Sequence, residues 1–178
     1  MKCKKTSVKT TGNRRALGAV YLTRAAIVAA IYITLTLVSS FFGLDKGLIQ
    51  LRFSEALCIL PMLFPAAVPG LYVGCLLANI LTGCAIWDII FGSAATLIGA
   101  VGAYLCRYLP EKIKFIGTLP NAVSNTLIVP LILMYAYGLD GGYLALMWPI
   151  ALSELLCACV FGTILYYPLK KIVNKQKI

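Results

Sequence analysis

Arg52 and Glu55 stand three residues apart at the start of an otherwise apolar run, within Gln50-Leu51-Arg52-Phe53-Ser54-Glu55-Ala56-Leu57. Each charge placed at the centre of a membrane helix costs about 2.5–3.5 kcal/mol on insertion scales. Two chemistries would justify that cost. One is an ion pair that pins a helix end at the lipid–water boundary. The other is a polar site that receives a hydrophilic solute. Four further polar residues inside or beside apolar runs, Asn79, Asp88, Asn125 and Glu154, favour the solute site.

Each of these residues has a structural role to set against a binding one. Glu154 falls about 16 Å into the last apolar run at helical rise, where a carboxyl group needs a partner. That partner is a solute or a side chain of another helix. Asn79 offers two donors and an acceptor, which suits an amide-like or heterocyclic edge, or a contact between helices. Trp87 and Asp88 open a helix. Asp88 suits capping there, Trp87 suits the aromatic belt, and both suit a ligand. Asn121 and Asn125 share a helix face. Asn121 lies nearer the cytosolic end and is expected to cap or to orient a partner, while Asn125 lies deeper and can reach a solute.

The chain has no histidine, and its seven cysteines form no Cys-x-x-Cys pair. A His-containing zinc site and a Cys–His nucleophile are thereby excluded, and no metal or cofactor is expected. No Gly-x-Ser-x-Gly elbow presents a serine nucleophile either.

The elements that must hold these residues are helices in a bilayer. Hydrophobic residues make up 61% of the chain and charged residues 12%, against about 45–50% and 25% in soluble domains. The runs are continuously apolar rather than alternating, so helices are expected and a barrel is not. The expected helices cover about 17–42, 53–65, 68–83, 87–107, 118–137 and 143–167. The second and third are short, joined by a tight turn around Phe64-Pro65-Ala66-Ala67. Proline belongs at such a stop or in a first helical turn.

Charge sets the orientation. All sixteen basic residues except Lys46 and Arg52 fall at the N-terminus, in the 107–114 loop or at the C-terminus. Basic residues mark cytoplasmic segments. Six crossings put all three basic segments on that side, whereas five would separate the two ends. The expected protein is therefore an all-α, multi-pass membrane protein of the cell membrane, with both termini cytoplasmic. Residues 1–16 are read as a flexible basic cytosolic tail, 17–169 as the membrane domain and 170–178 as a second basic tail. Anionic lipid is a sufficient partner for the basic ends, and nucleic acid is not expected.

Several blocks together resemble the QueT family. They are Leu22-Thr23-Arg24-Ala25-Ala26, the Gln50–Leu57 block above, Pro69-Gly70-Leu71-Tyr72-Val73-Gly74-Cys75-Leu76-Leu77-Ala78-Asn79, Asp88-Ile89-Ile90-Phe91-Gly92-Ser93-Ala94-Ala95-Thr96-Leu97 and Glu154-Leu155. The resemblance implies a substrate-capture (S) component of an energy-coupling factor transporter. Such a component works with a transmembrane coupling (T) subunit and two cytosolic ATPases. The chain carries no Gly-x-x-x-x-Gly-Lys-Ser/Thr phosphate loop of its own. The resemblance also implies that the first-helix alanines Ala25, Ala26, Ala29 and Ala30 meet the coupling subunit. The implied solute is a queuosine precursor, a 7-deazaguanine such as queuine or its aminomethyl relative. Its expected contacts are Arg52, Glu55, Asn79, Trp87, Asp88, Asn125 and Glu154. Other readings are an S component for another vitamin or nucleobase, a stand-alone carrier, and a small membrane enzyme.

Overall fold

The computed structural model describes the backbone of residues 5–45, 50–140 and 142–175, with side chains from Leu17 onward. Lys2, Lys4, Lys46 and Lys177 lie outside the described residues, as do the outermost parts of both expected tails. Six helical segments follow one another, with no strand among the described residues. The first is Lys5–Phe41, whose apolar part is Leu17–Phe41. The second is Phe53–Met62 and the third Ala67–Leu81. The fourth, fifth and last are apolar over Asp88–Tyr108, Glu111–Tyr135 and Tyr143–Val173.

The first, fourth, fifth and last helices are long and apolar enough to cross a membrane. Their polarity is arranged inside-out. Phe41, Leu105, Leu144 and Ile164 are exposed, whereas Glu55, Asn79, Asn121 and Glu154 are buried. A soluble monomer avoids apolar patches of that extent. Lipid accepts them.

The second helix differs from the sequence expectation. It is a tight 3-10 helix ending at Met62, where an α-helix was expected to about residue 65. At about 2.0 Å per residue it reaches farther than an α-helix of equal length. Ser54 through Met62 are all buried, and Pro61 lies inside the helix. The second helix is thus the axis of the bundle. Leu57, Cys58 and Leu60 pack against Val28 and Tyr32 of the first helix, Leu71 and Cys75 of the third, and Ala100 of the fourth. Ile59 and Met62 pack against Ala103 and Tyr166.

The expected proline junction is present. Leu63–Ala66 form the turn between the second and third helices, with Ala67 N donating to Phe64 O at 3.3 Å. Pro69 then sits in the first turn of the third helix, where its missing N–H costs no hydrogen bond.

Small residues set the spacing of the first and third helices. A Cβ on Gly70 would lie 2.6 Å from Ala25 O, and one on Gly74 would lie 2.9 Å from Tyr32 Cβ. Ala25 and Ala29 are therefore buried within the molecule, and only Ala26 and Ala30 of the expected partner-facing set are exposed. The two alanine pairs face different ways because positions one apart on a helix point about 100° from each other.

Leucine at Gly70 or Gly74 should separate these helices and lower stability by about 1–3 kcal/mol through overpacking. Thermal unfolding in detergent measures this. Ala26→Leu, on the exposed face, should leave the midpoint unchanged.

Candidate functional site

Two polar clusters lie along one path through the bundle. The outer one begins with Arg52, whose extended backbone caps the second helix. Its neighbour Phe53 N donates to Ser39 Oγ of the first helix at 3.1 Å, which anchors the backbone there. Arg52 Nη1 donates to Asn79 Oδ1 at 3.4 Å, and Nη2 lies 3.7 Å from Asp88 Oδ2. Asn79 Nδ2 donates to the Asp88 carbonyl at 3.3 Å. Tyr137 Oη donates to Asp88 Oδ2 at 3.4 Å.

The inner cluster is built around two carboxyl groups. Glu55 Oε1 accepts from Tyr32 Oη at 2.6 Å. Glu55 Oε2 accepts from Asn121 Nδ2 at 2.8 Å, and at longer range from Asn125 Nδ2 and the Cys58 thiol, both at 3.4 Å. Glu154 Oε1 accepts from Asn125 Nδ2 at 3.0 Å, and its Oε2 from Asn121 Nδ2 at 3.4 Å. Two carboxamides one helical turn apart on the fifth helix thus bridge a carboxyl group of the second helix to one of the last.

The two carboxyl groups differ in spare capacity. Both Glu55 oxygens hold short bonds to donors from other helices, so Glu55 organises the bundle. Glu154 has one good bond and one long one, so lone pairs remain for another donor. Both carboxyl groups line one cavity. That cavity holds about 20 Å³ of open space and is lined by Gln50, Arg52, Thr96, Asn125, Ser153 and Glu154, among others. A larger cavity of about 410 Å³ lies beside it, lined by Asp45, Gln50, Arg52, Cys84, Asp88 and Tyr137, among others. Gln50 and Arg52 line both.

Local distortions present the acids. Asp88 begins a π-helical turn, Asp88–Gly92, and Glu154 immediately precedes another, Leu155–Phe161. Such wide turns recur at functional sites because they redirect side chains without ending a helix. The fifth helix comes close to the fourth at Gly99, where any Cβ would overlap Asn121.

The path unites six of the seven residues expected from the sequence: Arg52, Glu55, Asn79, Asp88, Asn125 and Glu154. Trp87 lies elsewhere. It is half exposed, stacks on Phe91 with ring centroids 5.9 Å apart, and lines an apolar groove with Leu131 and Tyr135. Asn121 orients partners rather than capping its helix. Tyr32, Gln50, Thr96, Tyr137 and Ser153 were not expected. Tyr32 had a weak signal, because Thr36 and Ser39 continue a polar stripe along its helix face, and all three are buried. Tyr137 had none, since it sits in a loop between two apolar runs.

Among the protein families, a model described as QueT transporter matches residues 22–171. No curated protein and no solved structure matches the chain.

The unequal roles of the carboxyl groups can be separated by stability. Glu55→Gln turns an N–H toward Tyr32 or Asn121 and should cost about 1–3 kcal/mol, the range for a buried polar group left without its partner. Glu154→Gln should cost less. Equal unfolding midpoints for the two variants would contradict the assignment of Glu55 as the organising group.

Proposed function

The chain belongs to the QueT transporter family, whose model covers residues 22–171, and we propose that it captures a 7-deazaguanine-type queuosine precursor from outside the cell. It is a transporter and not an enzyme. In this proposal it is the S component of an energy-coupling factor importer. The observation that carries the site is Glu154, a buried carboxyl group with spare acceptor capacity on a cavity beside Arg52, inside an apolar bundle.

The chemistry matches a guanine-like edge. Its adjacent N–H donors are met by Glu154, with Asn125 holding the carboxyl in place. Its carbonyl is met by donors from Arg52 or Asn79. Asp45, Glu55, Asp88 and Glu154 line the two cavities, with Arg52 the one cation among their described lining residues. A cationic substituent is favoured in such surroundings, which suits the aminomethyl precursor. Trp87 is left out of this pocket because it faces the apolar groove.

The topology proposed is six crossings, four by the long helices and two by the short ones, with both termini in the cytoplasm. The Lys170–Glu111 ion pair, 2.7 Å long, ties the start of the fifth helix to the end of the last. Arg107 and Lys114 stand at the same end, with Lys114 Nζ donating to Arg107 O. That end is taken as cytoplasmic by the positive-inside rule. The larger cavity then opens outward. Energy comes from a transmembrane coupling subunit and two cytosolic ATPases, with the exposed Ala26 and Ala30 offering the close-approach surface.

Calorimetry with the purified chain tests the reading. One aminomethyl-7-deazaguanine should bind per chain. Glu154→Gln or Asn79→Ala should weaken binding by about tenfold or more, the effect of losing a hydrogen bond to a charged or buried partner. Unchanged affinity in both variants would remove the site, and displacement by another vitamin from a competitor panel would reassign the solute.

Thiol labelling tests the orientation. Cys84 lines the outer cavity and Cys106 lies at the basic end. A membrane-impermeant maleimide added to intact cells should label Cys84 and spare Cys106. Burial pushes the Cys84 thiol up from its ordinary pKa, and the thiolate is the reactive form. Labelling should therefore be slow at neutral pH and accelerate as pH rises. Labelling of Cys106 alone would invert the topology.

A further inference from the structure

Arg52 stands between the two cavities, and its side chain is poorly held. Its contacts to Asn79 at 3.4 Å and Asp88 at 3.7 Å are long beside the ~2.7–2.9 Å of a charge-assisted hydrogen bond. Its Nε is buried with no acceptor among the described residues. A guanidinium carries five N–H donors in a rigid fork, so most of its capacity goes unused in this arrangement.

Asp88 is held no better. Its Oδ2 is shared between Arg52 and Tyr137, with the tyrosine bond also long at 3.4 Å. Beneath the pair, Asn79 Nδ2 points to Cys75 Sγ at 3.7 Å, and Thr96 donates to the same sulfur at 3.3 Å. Thr96 lines the inner cavity. Cys75 is buried beside these residues, in contact with Asn79 of the outer cluster and Thr96 of the inner cavity.

The two cavities differ sharply in size. The outer one, at about 410 Å³, falls within the ~300–1,000 Å³ usual for small-molecule sites. The inner one, at about 20 Å³, has room for about one water molecule. A heterocycle passing from the outer cavity toward Glu154 must displace the side chains that line both cavities, Gln50 and Arg52. The backbone of Arg52 is fastened on both sides, by Leu51 N to Leu44 O at 2.8 Å and by Phe53 N to Ser39 Oγ at 3.1 Å. Motion is thereby directed into the side chain.

We infer that the Arg52–Asp88 pair is a latch that closes the inner cavity, and that side-chain exchange at this pair sets the rate at which solute passes from the outer cavity to Glu154. The inference rests on the solute-capture reading for the identity of what passes. The latch itself is a property of the empty protein. Long contacts suit a latch, because a pair held at full strength would open too rarely. A solute in the outer cavity offers both partners replacement groups, a donor for Asp88 and an acceptor for Arg52.

The test has a ligand-free arm and a ligand arm. In the first, the small cation aminoethyl methanethiosulfonate is added to the purified chain, and labelling at Cys75 is followed by peptide mass spectrometry. Asp88→Asn should accelerate it by about two- to fivefold, the effect expected when a partly exposed ion pair is lost. The thermal midpoint, measured in parallel, shows that the variant is folded. Tyr137→Phe removes one bond to Asp88 with little change of shape, should act in the same direction, and decides the matter if Asp88→Asn does not fold. Unchanged labelling of Cys75 in the folded variant overturns the latch, whatever the solute.

In the second arm, stopped-flow binding of aminomethyl-7-deazaguanine to the wild-type chain should level off at high concentration, at the rate of latch opening. Asp88→Asn should raise that plateau. A rate that climbs in proportion to concentration throughout, with only dissociation faster in Asp88→Asn, makes Asp88 a plain ligand contact and overturns the latch alone. Accelerated labelling of Cys75 without any binding of the deazaguanine overturns the solute assignment and leaves the latch standing.

Discussion

The fold is organised by the need to keep two carboxyl groups satisfied in a bundle with an apolar exterior. Water is not at hand for Glu55, so its partners must come from protein. They come from the first helix through Tyr32, from its own helix through Cys58 and from the fifth through Asn121. Glu154 brings in the last helix through the same two carboxamides. One polar knot thus fixes the relative position of four helices. Apolar packing between helices in lipid is nonspecific, since the alternative contact with acyl chains is also apolar. The knot supplies the register that packing does not.

The irregular backbone follows from that requirement. A regular α-helix over Phe53–Met62 would be shorter, at about 1.5 rather than about 2.0 Å per residue. The tight 3-10 helix brings Ser54 to Thr36, at 2.9 Å, while Glu55 reaches Tyr32 four residues earlier on the same stripe. A 3-10 run of ten residues is unusual, and its complete burial explains its survival. Neighbours enclose it from Ser54 to Met62, with Gly117 close against Met62 and Gly162 against Ala56. Glycine and alanine on these helices serve the polar core by letting backbones approach, so the stripes and the site form one design.

Much of this was legible in the sequence, for physical reasons that also explain the failures. Arg52, Glu55, Asn79, Asp88, Asn125 and Glu154 stand out because ionisable and carboxamide groups are rare in apolar runs, and rarity signals an enforced partner. The helix boundaries were legible from Pro61, Pro65 and Pro69 and from the glycine-rich loops. The 3-10 geometry was not, because its cause is tertiary enclosure and not local propensity. Thr96 and Ser153 were missed because short hydroxyl side chains satisfy themselves in ordinary helices; Thr96 also bonds back to Gly92 O and Ser153 to Ile150 O. Trp87 lies off the polar path, and its residue type alone did not place it, because an interfacial tryptophan suits lipid and ligand equally.

In the proposed capture of a solute, the sizes of the two cavities constrain the energetics. A protein whose binding-competent form is a fraction of the total has its apparent affinity reduced by that fraction. Each ~1.4 kcal/mol of preference for the closed form thus weakens binding by about tenfold. A strong ion pair at the neck would therefore oppose the capture of a scarce solute. A missing one would leave Glu154 and Asn125 facing water from the outer cavity, where hydrogen bonds to a solute gain less than in a dry site. The contacts of Arg52 lie between these limits. They are complete enough to shield the inner carboxyl groups and long enough to be given up. The Nε of Arg52, which has no acceptor among the described residues, fits that proposal, since buried donors are ordinarily matched.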